Sequence, residues 1–171
     1  MFIRLPRCDS GRDAGRGLDA ALTAALSDPN AASLLLPPGL AVEDAKAAVK
    51  RIQAADRPAL VIDDLDLRAA TQADGVHLTD PSKVRAVRAK LGDGLVLGAE
   101  CALERHACMV AAEDGADYVA VHVTADTLEA ADELIGWWFE MMTTPIVALL
   151  DVPGDHPGLA RHADFLSPPA A

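Results

Sequence analysis

The chain has 171 residues and a formal net charge of −11, from 26 acidic against 15 basic residues. Nucleic-acid binding needs clustered cations that displace counterions from phosphates, so this balance argues against a nucleic-acid partner. Three cysteines without CxxC spacing argue against a disulfide scaffold and suit a reducing compartment. No apolar stretch approaches the roughly 18 residues of a membrane span, and no secretion leader is recognised. We therefore expect one soluble, cytoplasmic domain over residues 1–171, without a membrane partner.

Short apolar runs alternate with amphipathic segments along the whole chain. Eight runs are predicted as strands: Phe2–Leu5, Ser33–Leu36, Ala59–Ile62, Gly75–Leu78, Leu95–Ala99, Tyr118–Val123, Ile146–Leu150 and Asp164–Leu166. Four segments between them have apolar residues at helical spacing: Val42–Ala55, Lys83–Leu91, Leu103–Glu113 and Leu128–Met141. Ser82 and Thr127 are candidate helix caps. Nearly continuous apolar strands that alternate with helices predict a parallel sheet covered on both faces.

The number of strands favours a small (β/α)8 TIM barrel with short loops, and a doubly wound open sheet is the alternative. Only Ser167–Ala171 follow the last run, so we expect the final helix of a standard barrel to be missing. The apolar surface left by that helix would be covered by the N-terminal segment or by a partner subunit, which suggests a homo-oligomer.

In such barrels the active site lies at the carboxyl ends of the strands. Asp63, Asp64 and Asp80 follow the third and fourth runs, and their carboxylates predict a Mg²⁺ site. The alternative is that Asp63 or Asp64 caps a helix that starts near Leu65, while Asp80 opens the turn before the next residue, a proline. Both interpretations can hold together.

His122, near the end of the sixth run, is a candidate for proton transfer, because an unperturbed imidazole has a pKa near ~6.5. Glu100 is either a general base or an ion-pair partner. His77, between apolar neighbours, is expected to be a structural histidine. The group Cys101, His106 and Cys108 is interpreted as helix packing rather than as a metal cluster. The pair Trp137-Trp138 is interpreted as helix packing or as a subunit contact.

Three segments carry a family resemblance. Val61–Leu78 reads V-I-D-D-L-D-L-R-A-A-T-Q-A-D-G-V-H-L, Leu97–Cys101 reads L-G-A-E-C, and Asp114–Val119 reads D-G-A-D-Y-V. Together they resemble the thiamine phosphate synthases and their thiazole tautomerase (TenI-like) relatives. The resemblance covers the middle third of the chain and implies a TIM barrel of thiamine biosynthesis. Such synthases join a pyrimidine pyrophosphate to a thiazole phosphate and release pyrophosphate with Mg²⁺.

The resemblance also implies roles for individual residues. The Asn-Asp pair of the family falls on Asp63-Asp64, which makes Asp64 the metal ligand that is carried over. A second family aspartate matches Asp80 after a short gap. In the tautomerase branch a catalytic histidine follows the sixth strand, one place after the position of His122.

Several phosphate-binding positions of the family differ in this chain. Ser33–Pro38 replaces a Q-x-R-x-K motif, Glu100 replaces a serine, and Leu150-Asp151 replaces a Gly-Gly pair, while a T-x-T-K segment has no counterpart. A substrate pair with several negative charges needs cations or convergent backbone donors. We therefore predict a degenerate synthase with weak or no activity. The alternatives are a related isomerase that uses His122 and a non-catalytic barrel that binds a small molecule or a partner.

Overall fold

The computed structural model describes residues 2–4 and 14–167, with side chains from residue 17 onward. These residues fall into two compact units, one that extends to His77 and one that begins at Leu78. Each unit repeats the same pattern, in which a strand is followed by a helix and then by the next strand. The single domain over residues 1–171 stays a prediction.

Four parallel strands lie side by side in chain order in the first unit. They are β1 (Phe2–Arg4), β2 (Ser33–Leu36), β3 (Ala59–Ile62) and β4 (Gly75–Leu78), of which the last residue, Leu78, belongs to the second unit. The helices between them are α1 (Ala14–Ser27), α2 (Val42–Ala54) and α3 (Leu65–Thr71). Helix α2 buries Ala45, Ala48, Val49 and Ile52, and this spacing of three and four residues places all four on one face.

Four further parallel strands lie in chain order in the second unit. They are β5 (Val96–Cys101), β6 (Tyr118–Val123), β7 (Ile146–Leu150) and β8 (Phe165–Ser167). The helices are α4 (Val84–Leu91), α5 (Arg105–Glu113), α6 (Leu128–Met141) and α7 (Pro157–His162). Every residue of β7 is buried, as expected for a strand with covered faces.

The two tryptophans show how α6 packs within the second unit. Trp138 is buried, and its indole Nε1 donates a hydrogen bond to the carbonyl oxygen of Thr144 at 2.7 Å. Trp137 is half-buried, and the guanidinium of Arg105 from α5 lies over its ring at 4.7 Å. The packing role predicted for this pair is therefore confirmed within the described residues, whereas a subunit contact stays a prediction.

Three aspartates, which we call the aspartate clamps, connect neighbouring strands through hydrogen bonds. Asp74, Asp117 and Asp164 each follow an alanine and directly precede an even-numbered strand. The carboxylate of each accepts a hydrogen bond from a backbone N–H at the start of the preceding strand: Ala59 to Asp74 at 2.8 Å, Leu97 to Asp117 at 2.7 Å and Ile146 to Asp164 at 2.8 Å. In return, the backbone N–H of each aspartate donates a hydrogen bond to the carbonyl oxygen of its partner on the preceding strand, which is Ala59, Leu97 or Ile146. These three Ala-Asp pairs therefore connect adjacent strands.

The strand positions agree closely with the prediction, and the α/β class is confirmed. Two helices were not predicted from apolar spacing, α1 and α7, because the first contains Gly15 and Gly17 and the second has only six residues. The assignment of Ser82 as a helix cap is wrong, because Asp80 caps a short 3-10 turn that contains Ser82. The prediction that the final helix is missing concerns residues 168–171, which lie outside the described residues.

Candidate functional site

Three ionisable side chains meet at the carboxyl ends of consecutive strands in the second unit. Glu100 lies near the end of β5, His122 lies near the end of β6, and Asp151 directly follows β7. The backbone N–H of Asp151 donates to the carbonyl oxygen of Val123 at 2.8 Å, which holds Asp151 beside the end of β6. Parallel pairing in register thus brings together residues that are far apart in the sequence.

The imidazole of His122 lies between two carboxylates. Its Nδ1 is 3.0 Å from Oδ2 of Asp151, and its Nε2 is 3.0 Å from Oε1 of Glu100. Only the protonated ring has an N–H on both nitrogens, so the imidazolium form satisfies both contacts at once. The exposed fractions of the side chains are 39% for His122, 26% for Glu100 and 45% for Asp151. The cluster is therefore accessible from solvent.

The structure brings together the two residues predicted as catalytic, and their catalytic role stays a prediction. Glu100 contacts His122 as the ion-pair interpretation expected. Asp151 is a third member that the prediction did not include among the site residues. Its position directly after a buried strand, at a place where the family has glycine, was the available signal.

The candidate metal ligands have structural roles in their own units. Oδ1 of Asp64 accepts a hydrogen bond from the backbone N–H of Leu67 at 2.7 Å and caps α3. Asp63 adopts a positive φ of 52° just before this cap. Oδ1 of Asp80 accepts from the backbone N–H of Ser82 at 3.1 Å and from its hydroxyl at 2.6 Å. The capping interpretation is confirmed for Asp64 and Asp80.

The chemistry of these carboxylates fits Mg²⁺. The hydrogen bonds from Ser82 hold the pKa of Asp80 below its usual value, so this carboxylate stays ionised. Asp63 and Asp64 are exposed. Among residues 2–4 and 14–167 no group of three or more His, Cys, Asp or Glu side chains is arranged so that it could hold a metal ion, but Mg²⁺ commonly uses one or two carboxylates together with water and phosphate oxygens. The metal site stays a prediction.

The remaining candidates are His77 and the group Cys101, His106 and Cys108. His77 is 1% exposed in the middle of β4. Cys101 and Cys108 are buried, whereas His106 is exposed on the surface of α5. The helix-packing interpretation is therefore confirmed for Cys108 only, because Cys101 lies on β5 and His106 is exposed.

Comparison with solved structures tests the predicted fold class. Thiamine phosphate pyrophosphorylase from Pyrococcus furiosus aligns with a TM-score of 0.69 and 19% identity, over 97% of this chain and 83% of that one. A tryptophan synthase chain from M. tuberculosis aligns with a TM-score of 0.67 and 18% identity, over 98% and 80% of the two chains. At such identities the likeness shows the fold alone. The predicted class, a small α/β fold of the TIM-barrel type, is confirmed.

Sequence comparison identifies the family. The family model described as thiamine monophosphate synthase matches residues 36–153. The thiamine-phosphate synthase of Erythrobacter litoralis is 32% identical over 94% of this chain and 78% of its own length. Those of Rhodospirillum centenum and Hyphomonas neptunium are 38% and 36% identical, over 57% and 74% of this chain. The chain belongs to the thiamine monophosphate synthase family, as the sequence motifs predicted.

This chain spans only part of some relatives, 51% of the Rhodospirillum centenum protein and 62% of the Hyphomonas neptunium protein. Within the described part of the chain, no helix has the length and apolar character needed to cross a bilayer. The cytoplasmic location, the absence of a nucleic-acid partner, the small-molecule ligand and the homo-oligomer stay predictions.

Proposed function

We propose that this protein is a thiamine phosphate synthase-like barrel with weak or no pyrophosphate-releasing activity. The observation that supports the proposal is the engagement of His122 by Glu100 and Asp151. A phosphate at this edge needs hydrogen-bond donors and positive charge. Both ring nitrogens of the imidazole are already directed at carboxylates, so neither is presented to an incoming phosphate oxygen.

The two carboxylates also oppose an anionic ligand directly. Two like unit charges about 4 Å apart repel by about 4 kcal/mol at an effective dielectric of 20. This energy corresponds to about a thousandfold in affinity. An imidazolium ring at His122 would offset one of the two carboxylates and leave the three side chains with a formal charge of −1.

The proposal includes Mg²⁺, for which Asp63, Asp64 and Asp80 are the candidate ligands. Each of these aspartates would offer a carboxylate oxygen to the ion within its own unit, and a bound ion would supply positive charge to diphosphate oxygens. Asp64 contributes to the fold independently of the metal, because its carboxylate caps α3. A single ion would not replace every phosphate contact that the family's residues make at the positions of Glu100 and Asp151.

The test is an assay of pyrophosphate release from the pyrimidine pyrophosphate and the thiazole phosphate in the presence of Mg²⁺. The thiamine-phosphate synthase of Erythrobacter litoralis serves as the reference enzyme. We expect kcat/KM for this chain to be at least about a thousandfold lower than that of the reference, as the repulsion above implies. A value within tenfold of the reference would overturn the proposal.

Substitutions test whether the two carboxylates, rather than another feature of the chain, weaken the binding of the anionic ligand. Glu100→Ser combined with Asp151→Gly restores the residue types that the family has at these positions. We expect this double variant to show a larger rise in melting temperature with pyrophosphate and Mg²⁺ than the parent chain, because only a ligand that binds the native state stabilises it. Glu113→Gln, which removes one acidic charge at the end of α5, is the matched control. An equal rise in all three proteins would contradict the role of the two carboxylates.

A further inference from the structure

The cluster at the ends of β5, β6 and β7 contains one group whose charge changes near neutral pH. Nε2 of His122 is 3.0 Å from Oε1 of Glu100, and Nδ1 is 3.0 Å from Oδ2 of Asp151. An unperturbed imidazole loses its proton near pH ~6.5, whereas unperturbed carboxyl groups lose theirs near pH ~4. The protonation of His122 therefore sets the charge of the cluster in the neutral range.

The register of the strands directs the three side chains to one face of the sheet. Glu100 pairs with Ala120, and His122, two residues further along β6, pairs with Leu149. Successive side chains of a strand alternate between the two faces, so residues two apart lie on the same side. Asp151 follows Leu149 by two residues. Backbone pairing on both sides of β6 therefore holds the two carboxylates beside the imidazole.

Other ionisable groups lie on the elements that pack against β6. Tyr118, on the same face of β6 as His122, is buried, and burial raises the pKa of its hydroxyl well above the usual value, so this group stays neutral. The remaining ones are the buried thiols of Cys101 and Cys108 and the exposed side chains of α5 and α6, which are Arg105, His106, Glu113, Glu129, Asp132, Glu133 and Glu140. The charged groups that face His122 from its neighbouring strands are therefore Glu100 and Asp151.

The two protonation states of His122 make different contacts with these carboxylates. The imidazolium has an N–H on each nitrogen and donates to both carboxylates, and the cluster then carries a formal charge of −1. The neutral ring has one N–H, and its other nitrogen presents a lone pair to a carboxylate oxygen. Because both atoms of that second contact are acceptors, the contact becomes repulsive. Loss of the proton thus changes the formal charge to −2 and opens one side of the cluster.

We propose that the protonation of His122 regulates anion binding at this site, so that the affinity for a diphosphate group falls as His122 loses its proton. This inference rests on the proposed function, in which Glu100 and Asp151 oppose an anionic ligand. Removal of one positive charge strengthens that opposition. Solvent screens part of the effect, because all three side chains are partly exposed. We therefore expect the affinity to fall at least about tenfold when His122 is deprotonated.

The first measurement follows the imidazole itself by NMR titration of the full chain with isotope-labelled histidine. The Cε1–H signal that disappears in His122→Gln belongs to His122. Because both carboxylates favour the imidazolium, we expect the midpoint in the parent chain to lie at least about one pH unit above the ordinary ~6.5. The midpoint should fall in the double variant Glu100→Gln with Asp151→Asn and stay unchanged in the control Glu113→Gln. A parent midpoint at or below ~6.5, or equal midpoints in the parent and the double variant, would overturn the proposal.

The second measurement connects this titration to the ligand. Calorimetry gives the dissociation constant of pyrophosphate, without Mg²⁺, about one pH unit below and about one pH unit above the His122 midpoint. We expect the affinity of the parent chain to fall at least about tenfold more across this interval than that of His122→Gln, whose side chain does not titrate. The variant also controls for the ionisation of pyrophosphate itself. Equal changes in the two proteins, or no binding at either pH, contradict the regulation by His122.

Failure of this inference is distinguishable from failure of the proposed function. A kcat/KM within about tenfold of the reference enzyme overturns the proposed function, whatever the pH dependence of pyrophosphate binding. Weak activity together with a His122 titration that leaves pyrophosphate affinity unchanged overturns the regulation alone.

Discussion

Gly98 shows how a single residue permits the pairing of β5 with β6. Gly98 is the register partner of Tyr118 on the neighbouring strand. A Cβ atom at Gly98 would overlap the Tyr118 side chain, with the ring carbon Cζ and the hydroxyl oxygen Oη as its nearest neighbours. The ring therefore occupies the space that a side chain would take, and glycine is required at this position for packing rather than for its backbone conformation.

We expect Gly98→Ala to destabilise the protein by about 3 kcal/mol, since the buried ring must shift to accommodate the methyl group. Urea unfolding followed by circular dichroism measures this loss. Gly94→Ala is the matched control, because a Cβ atom at Gly94 meets no other atom within 4 Å. Equal midpoints for the two variants would contradict the packing role of Gly98.

Tyr118 makes stability sensitive to alkaline pH. Burial raises the pKa of its hydroxyl well above the usual value, so the folded protein keeps the proton that the unfolded chain releases near pH ~10. The contribution of the Tyr118 hydroxyl to the free energy of unfolding is fully present below that pH. It is lost as the pH rises further, because the folded state then binds more protons than the unfolded state.

We therefore expect the free energy of unfolding to fall above pH ~10 in the parent chain, and to fall less in Tyr118→Phe. Tyr118 is the only tyrosine of the chain, so the ultraviolet absorbance of tyrosinate reports this residue alone. Ionisation in step with unfolding agrees with the prediction. Ionisation of Tyr118 in the still-folded protein near pH ~10, the ordinary pKa of tyrosine, would contradict it.

At the scale of secondary-structure elements, the aspartate clamps explain part of the family motifs. Asp74 of the A-D-G-V-H-L segment and Asp117 of the G-A-D-Y segment each accept a hydrogen bond from the strand that precedes them. Asp164 makes the same contact outside either motif. The motif residues thus have a structural role that is independent of phosphate chemistry. Their presence identifies the fold and family more directly than it identifies an activity.

We expect Asp164→Ala to lower the free energy of unfolding by about 1–3 kcal/mol, because the N–H of Ile146 loses its partner at a partly buried position. Chemical denaturation monitored by Trp fluorescence measures the change. Asp155→Ala, at an exposed position in the loop before α7, is the control for removal of a negative charge. A loss of similar size in both variants would show that the clamp contributes nothing specific.

At the scale of the whole molecule, the strands that the structure describes and most of their bounds could be predicted because covered strands are continuous apolar runs. The short helix α7 and the glycine-containing α1 could not be predicted from periodicity, since the spacing signal needs length and good helix formers. Glu100 and His122 were predicted one by one as residues at strand ends. Their mutual contact, and the part taken by Asp151, were not predicted.

The sequence by itself determined the fold class and the family, because apolar alternation and the motifs around Asp64, Asp74 and Asp117 are local patterns. Only the tertiary structure decided which polar groups meet. His122 contacts one residue 22 positions earlier and another 29 positions later, and these contacts depend on the register of three parallel strands. Distances between side chains are set by register and helix packing, and neither is a property of a local segment.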